Sequence, residues 1–186
     1  MDLLYDRNKP KLKEKSHGKL AVQQRMRLAM AFLNPLRAVI AESWLSQGKG
    51  SKKKAFGQAL KKLMQDALEG DYPHQHILPE RVGISTGVLP GLLVDNVMQE
   101  EQTLKIYFSS PENPLARTND EVVVVVYSPE LGVAARSIDV CKRSVGFIEV
   151  DLPPQLWTVP FHVYLFMHSA NKKQYSKSIY IGQLGL

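Results

Sequence analysis

The chain has 186 residues and a formal net charge of +6, which fits one domain with or without an appended element. Folding at that length removes roughly 70% of the unfolded chain's surface from water, so no covalent staples are required. A single cysteine, Cys141, excludes an internal disulfide, and there is no run of about 18 apolar residues to span a bilayer. Residues 1–20 place charges where the apolar stretch of a secretory signal should lie, so a cytoplasmic protein is expected. The charge is uneven. The first 70 residues hold fifteen Lys/Arg against six Asp/Glu, and the rest hold nine against twelve. A basic front favours an anionic partner, and solvating lysines on helices are the plain alternative.

Residues 6–19, DRNKPKLKEKSHGK, are polar, basic and aperiodic, which predicts a flexible basic arm over residues 1–18. Helical spacing follows. Val22, Met26, Ala29, Leu33, Leu36, Ile40 and Trp44 recur at steps that line one side of a helix, with Arg25, Arg27 and Arg37 off that stripe. Pro35 has no N–H to give and crowds the preceding turn, while Asn34 suits a helix N-cap. The pair therefore ends one helix and starts another, or kinks a single one. The stripe keeps its phase across the break, which favours a kink with both halves on one surface. A second helix is expected after Ser51, with Ala55, Phe56, Ala59, Leu60, Leu63, Met64, Ala67 and Leu68 apolar and Lys61, Lys62, Gln65 and Asp66 in water. Gly70 reads as its stop. Residues 19–70 thus form a helical hairpin.

From residue 76 the period changes to two. QTLKIYFSS and SVGFIEVDLP alternate, and EVVVVVYSPE carries valine on both sides, as a central strand buried twice over would. FHVYLFMHS and SKSIYIGQL flank the polar loop SANKKQY. Weaker strands are expected near 81–88, 92–99 and 132–139. The fold class is α+β: the helical hairpin packed on a C-terminal antiparallel β-sandwich, residues 76–186, of fibronectin type III or immunoglobulin-like layout. In FHVYLFMHS one face is Phe161, Val163, Leu165 and Met167, and the other is His162, Tyr164, Phe166 and His168. With Tyr107, Tyr127 and Tyr180, the residues His162, Tyr164 and Phe166 make a candidate exposed aromatic interaction face. The hairpin also needs a partner for its stripe, and laying it on the sandwich makes that stripe core.

The order of QQRMRLAMAFLNPLRAVI, KKKAFGQALKKLMQDALEGDYP, GVLPG, EVVVVVYSPE and SKSIYIG resembles a family of uncharacterised bacterial proteins, a domain of unknown function, over residues about 20 to 186. The resemblance implies a basic N-terminal stretch, helices, and an all-β C-terminal half. It supplies no activity and no catalytic residues. A glycine-rich stretch is expected before the basic arm in that family, and MDLLYDRNKPK stands there instead.

Candidate chemistry is thin. Residues 83–87, GISTG, match the nucleophile pattern G-x-S-x-G around Ser85, but no helix can follow directly through Val88–Leu89–Pro90–Gly91, and no α/β alternation surrounds it. A turn is the preferred reading. His74 and His76 in DYPHQHILPE have only Glu80 as a nearby third ligand, and a metal site needs more. His162 and His168 stand roughly 20 Å apart along one strand, too far to share an ion. Cys141 reads as a small core residue. No metal, no cofactor and no catalytic residue is expected. Lys9, Lys11, Lys13, Lys15, Lys49, Lys52, Lys53 and Lys54 are candidate contacts to phosphate or another anion, through the backbone and without sequence reading. The expectation is a non-enzymatic structural or protein-interaction module, with a protein partner or self-association and no membrane. The alternative is a nucleic-acid-associated protein whose basic front clamps phosphates.

Overall fold

The computed structural model of the chain describes residues 16–44 and 52–185, apart from the side chain of Lys53. Three helices come first: α1 (His17–Leu33), α2 (Arg37–Ser43) and α3 (Lys52–Asp66). Asn34, Pro35 and Leu36 form a turn between α1 and α2, with Leu36 N donating to Leu33 O and Arg37 N to Asn34 O. Leu33, Leu36 and Ile40 all bury completely, so the apolar stripe does run on through the break into one surface.

The start of the stripe is different. Val22 and Met26 are 61% and 44% exposed, and burial begins at Ala29. The first half of α1 is held by polar and aromatic contacts from its other side. Gln24 Nε2 donates to Pro73 O (2.8 Å), Arg25 Nη2 donates to Met64 O (3.1 Å), and His17 meets the Tyr72 ring edge-on. Periodicity marks which residues share a face, and the neighbouring layer decides how far along the helix that face is covered.

α3 ends at Asp66, earlier than the glycine stop suggests. A two-residue strand, β1 (Leu68–Glu69), pairs with β2 (His76–Ile77), and Gly70 lies in the turn between them at φ +84. A Cβ there would sit 2.7 Å from His74 O, so this glycine serves the turn rather than the helix.

The β-rich half has two antiparallel sheets. The first joins β10 (Ile179–Leu184), β9 (Phe161–His168), β5 (Glu121–Ser128) and β6 (Val133–Arg136) in that order, with β7 (Cys141–Lys142) also on β5. The second joins β3 (Leu93–Glu100), β4 (Thr103–Ser109) and β8 (Phe147–Asp151). The expected strand near 81–88 does not form. A 3-10 turn occupies Pro79–Arg81, and the chain then lies irregularly along residues 175–178. Pro79 and Pro90 cannot donate to a ladder, and this segment finds side-chain partners instead.

β5 explains the layering. Its even positions Val122, Val124 and Val126 join Leu104, Ile106, Phe108, Ile148, Val150, Val163 and Leu165 in one apolar cluster between the sheets. Its odd positions Val123, Val125 and Tyr127 join Tyr164, Phe166 and the buried faces of the three helices in a second cluster. The five-stranded sheet is thus covered on both sides, which is why a strand of consecutive valines is stable there.

Candidate functional site

Burying Leu36, Ile40 and Ala41 leaves Arg37, Ala38 and Glu42 of α2 on the outer side of the helical layer. α3 runs beside it, and burial of Ala55, Phe56 and Ala59 turns Lys52 outward. The connection from β9 to β10 makes the third wall. It is a tied loop. Ser169 N donates to Gln174 O (2.9 Å), Lys172 N to Ser169 O (2.7 Å), Lys173 N to Asn171 Oδ1 (3.1 Å) and Gln174 N to Ser169 Oγ (3.0 Å). Lys172 sits at φ +54 within it, and both Lys172 and Lys173 project into solvent. Between these walls lies a groove of about 1350 Å³, floored by Pro35, Ala38, Ala41, Phe56 and Tyr175.

Four cations and one carboxylate line this groove: Arg37, Lys52, Lys172, Lys173 and Glu42. Glu42 is engaged from three directions. Arg136 Nη1 is 2.8 Å away, Lys172 Nζ is 4.0 Å away, and Tyr175 Oη donates to it over 3.4 Å. Burial, and then the Glu42 carboxylate, push the Tyr175 hydroxyl up to about 12, so it stays protonated as a donor. Arg37 lies over the Phe56 ring, 4.4 Å from its centroid. Among the described residues, Arg37, Lys52 and Lys173 have no carboxylate within salt-bridge distance.

The residues expected to contact anions divide. Lys52 belongs to the groove. Lys54 is exposed on α3 and does not line it. Lys9, Lys11, Lys13, Lys15 and Lys49, and the side chain of Lys53, lie outside the described residues. Arg37, Lys172 and Lys173 complete the positive rim. They were legible only as an off-stripe arginine and a polar loop, because nothing local in the chain places that loop beside α2.

The expected aromatic face is not one exposed surface. Tyr127, Tyr164 and Phe166 are 1%, 0% and 3% exposed and sit under the helices. His162 and Tyr180 are half-buried beside them, with His162 Nδ1 2.9 Å from Tyr180 Oη. Burial lowers the His162 pKa, and the Glu80 carboxylate opposes that shift. Tyr107 is on a different surface, the outer side of the three-stranded sheet, paired with Phe147 at a ring separation of 6.1 Å. The alternation assigned the faces of β9 correctly, and the helical layer then covered the aromatic one.

Ser85 of GISTG is buried, and its hydroxyl donates to Ser176 O (2.7 Å). Ser178 Oγ accepts from Ile84 N (3.0 Å), and Ser178 N donates to Ser85 O (3.2 Å). A Cβ on Gly87 would fall 1.9 Å from Tyr175 O, so the second glycine of the motif permits close approach of two chain segments. His74 and His76 are both exposed, and His76 Nδ1 is 3.3 Å from His74 O. Among the described residues, no group of three or more His, Cys, Asp or Glu could hold a metal ion.

One feature escaped sequence reasoning entirely. Arg143 and Asp120 form a buried ion pair (Nε to Oδ2, 3.3 Å), with side chains 3% and 1% exposed. Arg143 also donates to Gly91 O (3.2 Å), Pro90 O (2.5 Å) and Ser110 Oγ (3.0 Å), and its backbone N donates to Asp120 O (2.7 Å). Burial pulls the guanidinium pKa down, and Asp120 opposes that. One side chain thereby fastens the segments entering β3, leaving β4 and entering β5.

This arrangement is that of an α+β protein with helices on one side of paired antiparallel sheets and a cationic recess at the helical edge. Among the described residues, no helix is long and apolar enough to cross a membrane. The chain belongs to a family of unknown function, DUF6266, which matches residues 2–182. The match extends the resemblance seen over residues about 20 to 186 nearly to the N-terminus. No curated protein matches the chain.

Proposed function

We propose that this protein is a non-enzymatic interaction module, bacterial and cytoplasmic, whose working surface is the groove between α2, α3 and the β9–β10 loop. In this reading the two sheets are a sandwich of fibronectin type III or immunoglobulin-like type, and the helices form a hairpin that builds half of the groove. The observation that carries it is the convergence of Arg37, Lys52, Lys172 and Lys173 around an apolar floor. A concave apolar surface rimmed by one sign of charge suits recognition of a partner. Ser85 supports the non-enzymatic part, since its proton is engaged by a backbone carbonyl within a packed crossing.

A photo-crosslinking amino acid at Ala38, on the groove floor, tests the reading. Adducts with polypeptide from cells of the source should form there, and should be lost in the Lys52→Glu/Lys173→Glu variant. Adducts from a crosslinker placed at Phe147, with none from Ala38, would move the working surface to the three-stranded sheet. Catalytic turnover that disappears in Ser85→Ala would overturn the non-enzymatic reading.

A second reading keeps the same rim and gives it phosphates, as a nucleic-acid clamp. Its support is that Lys52 lines the groove together with three further cations. It requires binding of labelled DNA or RNA that weakens steeply with salt.

A further inference from the structure

Resting on the interaction-module reading, we infer that the groove takes an acidic, extended segment of a partner protein. The carboxylates of that segment meet Arg37, Lys52 and Lys173, and its apolar side chains settle on Pro35 and Ala38.

Charge comes first. Of the four groove cations, Lys172 already faces Glu42, and the other three have no carboxylate in reach among the described residues. Glu42 displays the favoured chemistry: a carboxylate taken up by a guanidinium, an ammonium and a phenol at this same edge. A second carboxylate entering beside Lys173 and Lys52 repeats that pattern.

Shape and floor exclude competing occupants. At about 1350 Å³ the groove exceeds the usual range for a small-molecule pocket, roughly 300–1,000 Å³, and suits a stretch of chain. Single-stranded nucleic acid gains much of its affinity by stacking bases on open aromatic faces. Here Phe56 is 8% exposed beneath the Arg37 guanidinium, and Tyr175 is 3% exposed with its ring against Phe166 and His168. Neither offers a free face. What remains open is aliphatic: Ala38 is exposed and Pro35 half-exposed, a floor for aliphatic side chains. The chain's own N-terminal arm does not fit, because residues 1–15 hold five Lys/Arg against three Asp/Glu and repel the rim.

The test is fluorescence anisotropy on the full chain with three labelled probes at low salt: an alternating Glu/Leu dodecapeptide, its Gln/Leu counterpart, and a dT oligonucleotide of similar charge. The Glu/Leu peptide should bind best. The Lys52→Glu/Lys173→Glu variant should weaken it by about tenfold, and raised salt should weaken it too, since both contacts are solvent-screened. A control of equal charge change away from the groove, Lys61→Glu/Lys142→Glu, should change affinity less than about twofold. Both variants replace exposed side chains, and unchanged thermal midpoints verify folding. Equal binding of the Gln/Leu peptide, or equal loss in the control variant, overturns the carboxylate contacts. Tighter binding of the oligonucleotide overturns the peptide occupant in favour of a phosphate ligand. If no probe binds while Ala38 still crosslinks protein, the acidic occupant falls and the module reading survives. If Ala38 captures nothing as well, both fall.

Discussion

The two faces of β9 bury equally well and do so with different chemistry. Phe161, Val163, Leu165 and Met167 meet the three-stranded sheet through a cluster of aliphatic and aromatic side chains that also takes in Cys141. Tyr164 and Phe166 meet the helices, and His162 lies at the end of the same row. On that side, hydroxyls reach out of the cluster: Tyr164 Oη donates to Pro79 O (2.9 Å), and Tyr175 Oη donates to Glu42. A sheet on a sheet is a regular contact that aliphatic side chains fill. Helices on a sheet leave uneven gaps, and their borders here are irregular segments. Large rings fill such gaps, and their polar ends fasten the borders. The sheet–sheet side thus relies on packing, with one polar pin at its margin, and the helical side relies on packing and hydrogen bonds together.

The pin gives the largest expected effect. Arg143→Ala removes the partner of Asp120 and the donor to two carbonyls, leaving a buried carboxylate without a counter-charge. It should cost about 3–5 kcal/mol in urea unfolding. Arg143→Lys should recover only part of this, because one ammonium cannot reproduce a fork that reaches three segments. A cost below about 1 kcal/mol would mean that water reaches the pair and that the sheet–sheet side is less dry than described.

Next come two neighbours on opposite faces of one strand. Leu165→Ala opens a cavity in the aliphatic cluster and should cost about 2–5 kcal/mol. Tyr164→Phe keeps the ring and loses the bond to Pro79 O, and should cost about 1 kcal/mol. Equal costs would erase the distinction between a side held by volume and one held partly by hydrogen bonds.

Alkaline pH separates the same two sides. Burial pushes the Tyr127 and Tyr175 hydroxyls up to about 12 from 10.0, and Tyr164 and Tyr180 shift in the same direction; all four belong to the helical side. Above pH 10 the unfolded chain releases protons that the folded chain still holds, so stability present below pH 10 is lost as pH rises toward about 12. Tyr127→Phe should flatten this loss, measured as the urea midpoint between pH 8 and about pH 11. Leu165→Ala should lower the whole curve and leave its slope unchanged. An unaltered slope in Tyr127→Phe would remove that tyrosine from the alkaline response.

The same contrast explains what was legible in the chain. The valine run of β5, the alternation of β9 and the stripe through Leu33, Leu36 and Ile40 each encode which residues share a face, and each face is where the pattern puts it. Depth is not encoded. Val22 and Met26 continue the stripe and remain in water, while Tyr127, Tyr164 and Phe166 carry polar or aromatic character and lie deep. Those outcomes depend on where another layer ends. The groove was illegible for a related reason: Lys52 and Lys173 come together only after α3 and the β9–β10 loop have both docked on α2. The Arg143–Asp120 pair gave no signal, since isolated charges in a chain usually mark its surface.

The smallest expected effect concerns the face that no layer of the described residues covers. Tyr107 and Phe147 are 39% and 44% exposed, and Lys105 beside them pairs with Glu100 (2.8 Å) and Glu149 (3.7 Å). A cross-strand aromatic pair in water contributes roughly 0.2–1 kcal/mol, and threonine suits a strand nearly as well as tyrosine. Tyr107→Thr should therefore shift stability by less than about 1 kcal/mol, and the shift should not depend on protein concentration. A cost of about 2 kcal/mol or more, growing with concentration, would show that this sheet is covered in solution by a second copy of the chain. Light scattering on the wild type and the variant distinguishes the two. A monomer leaves the three-stranded sheet as the open end of the fold, and a dimer that dissociates in Tyr107→Thr makes it a third buried face.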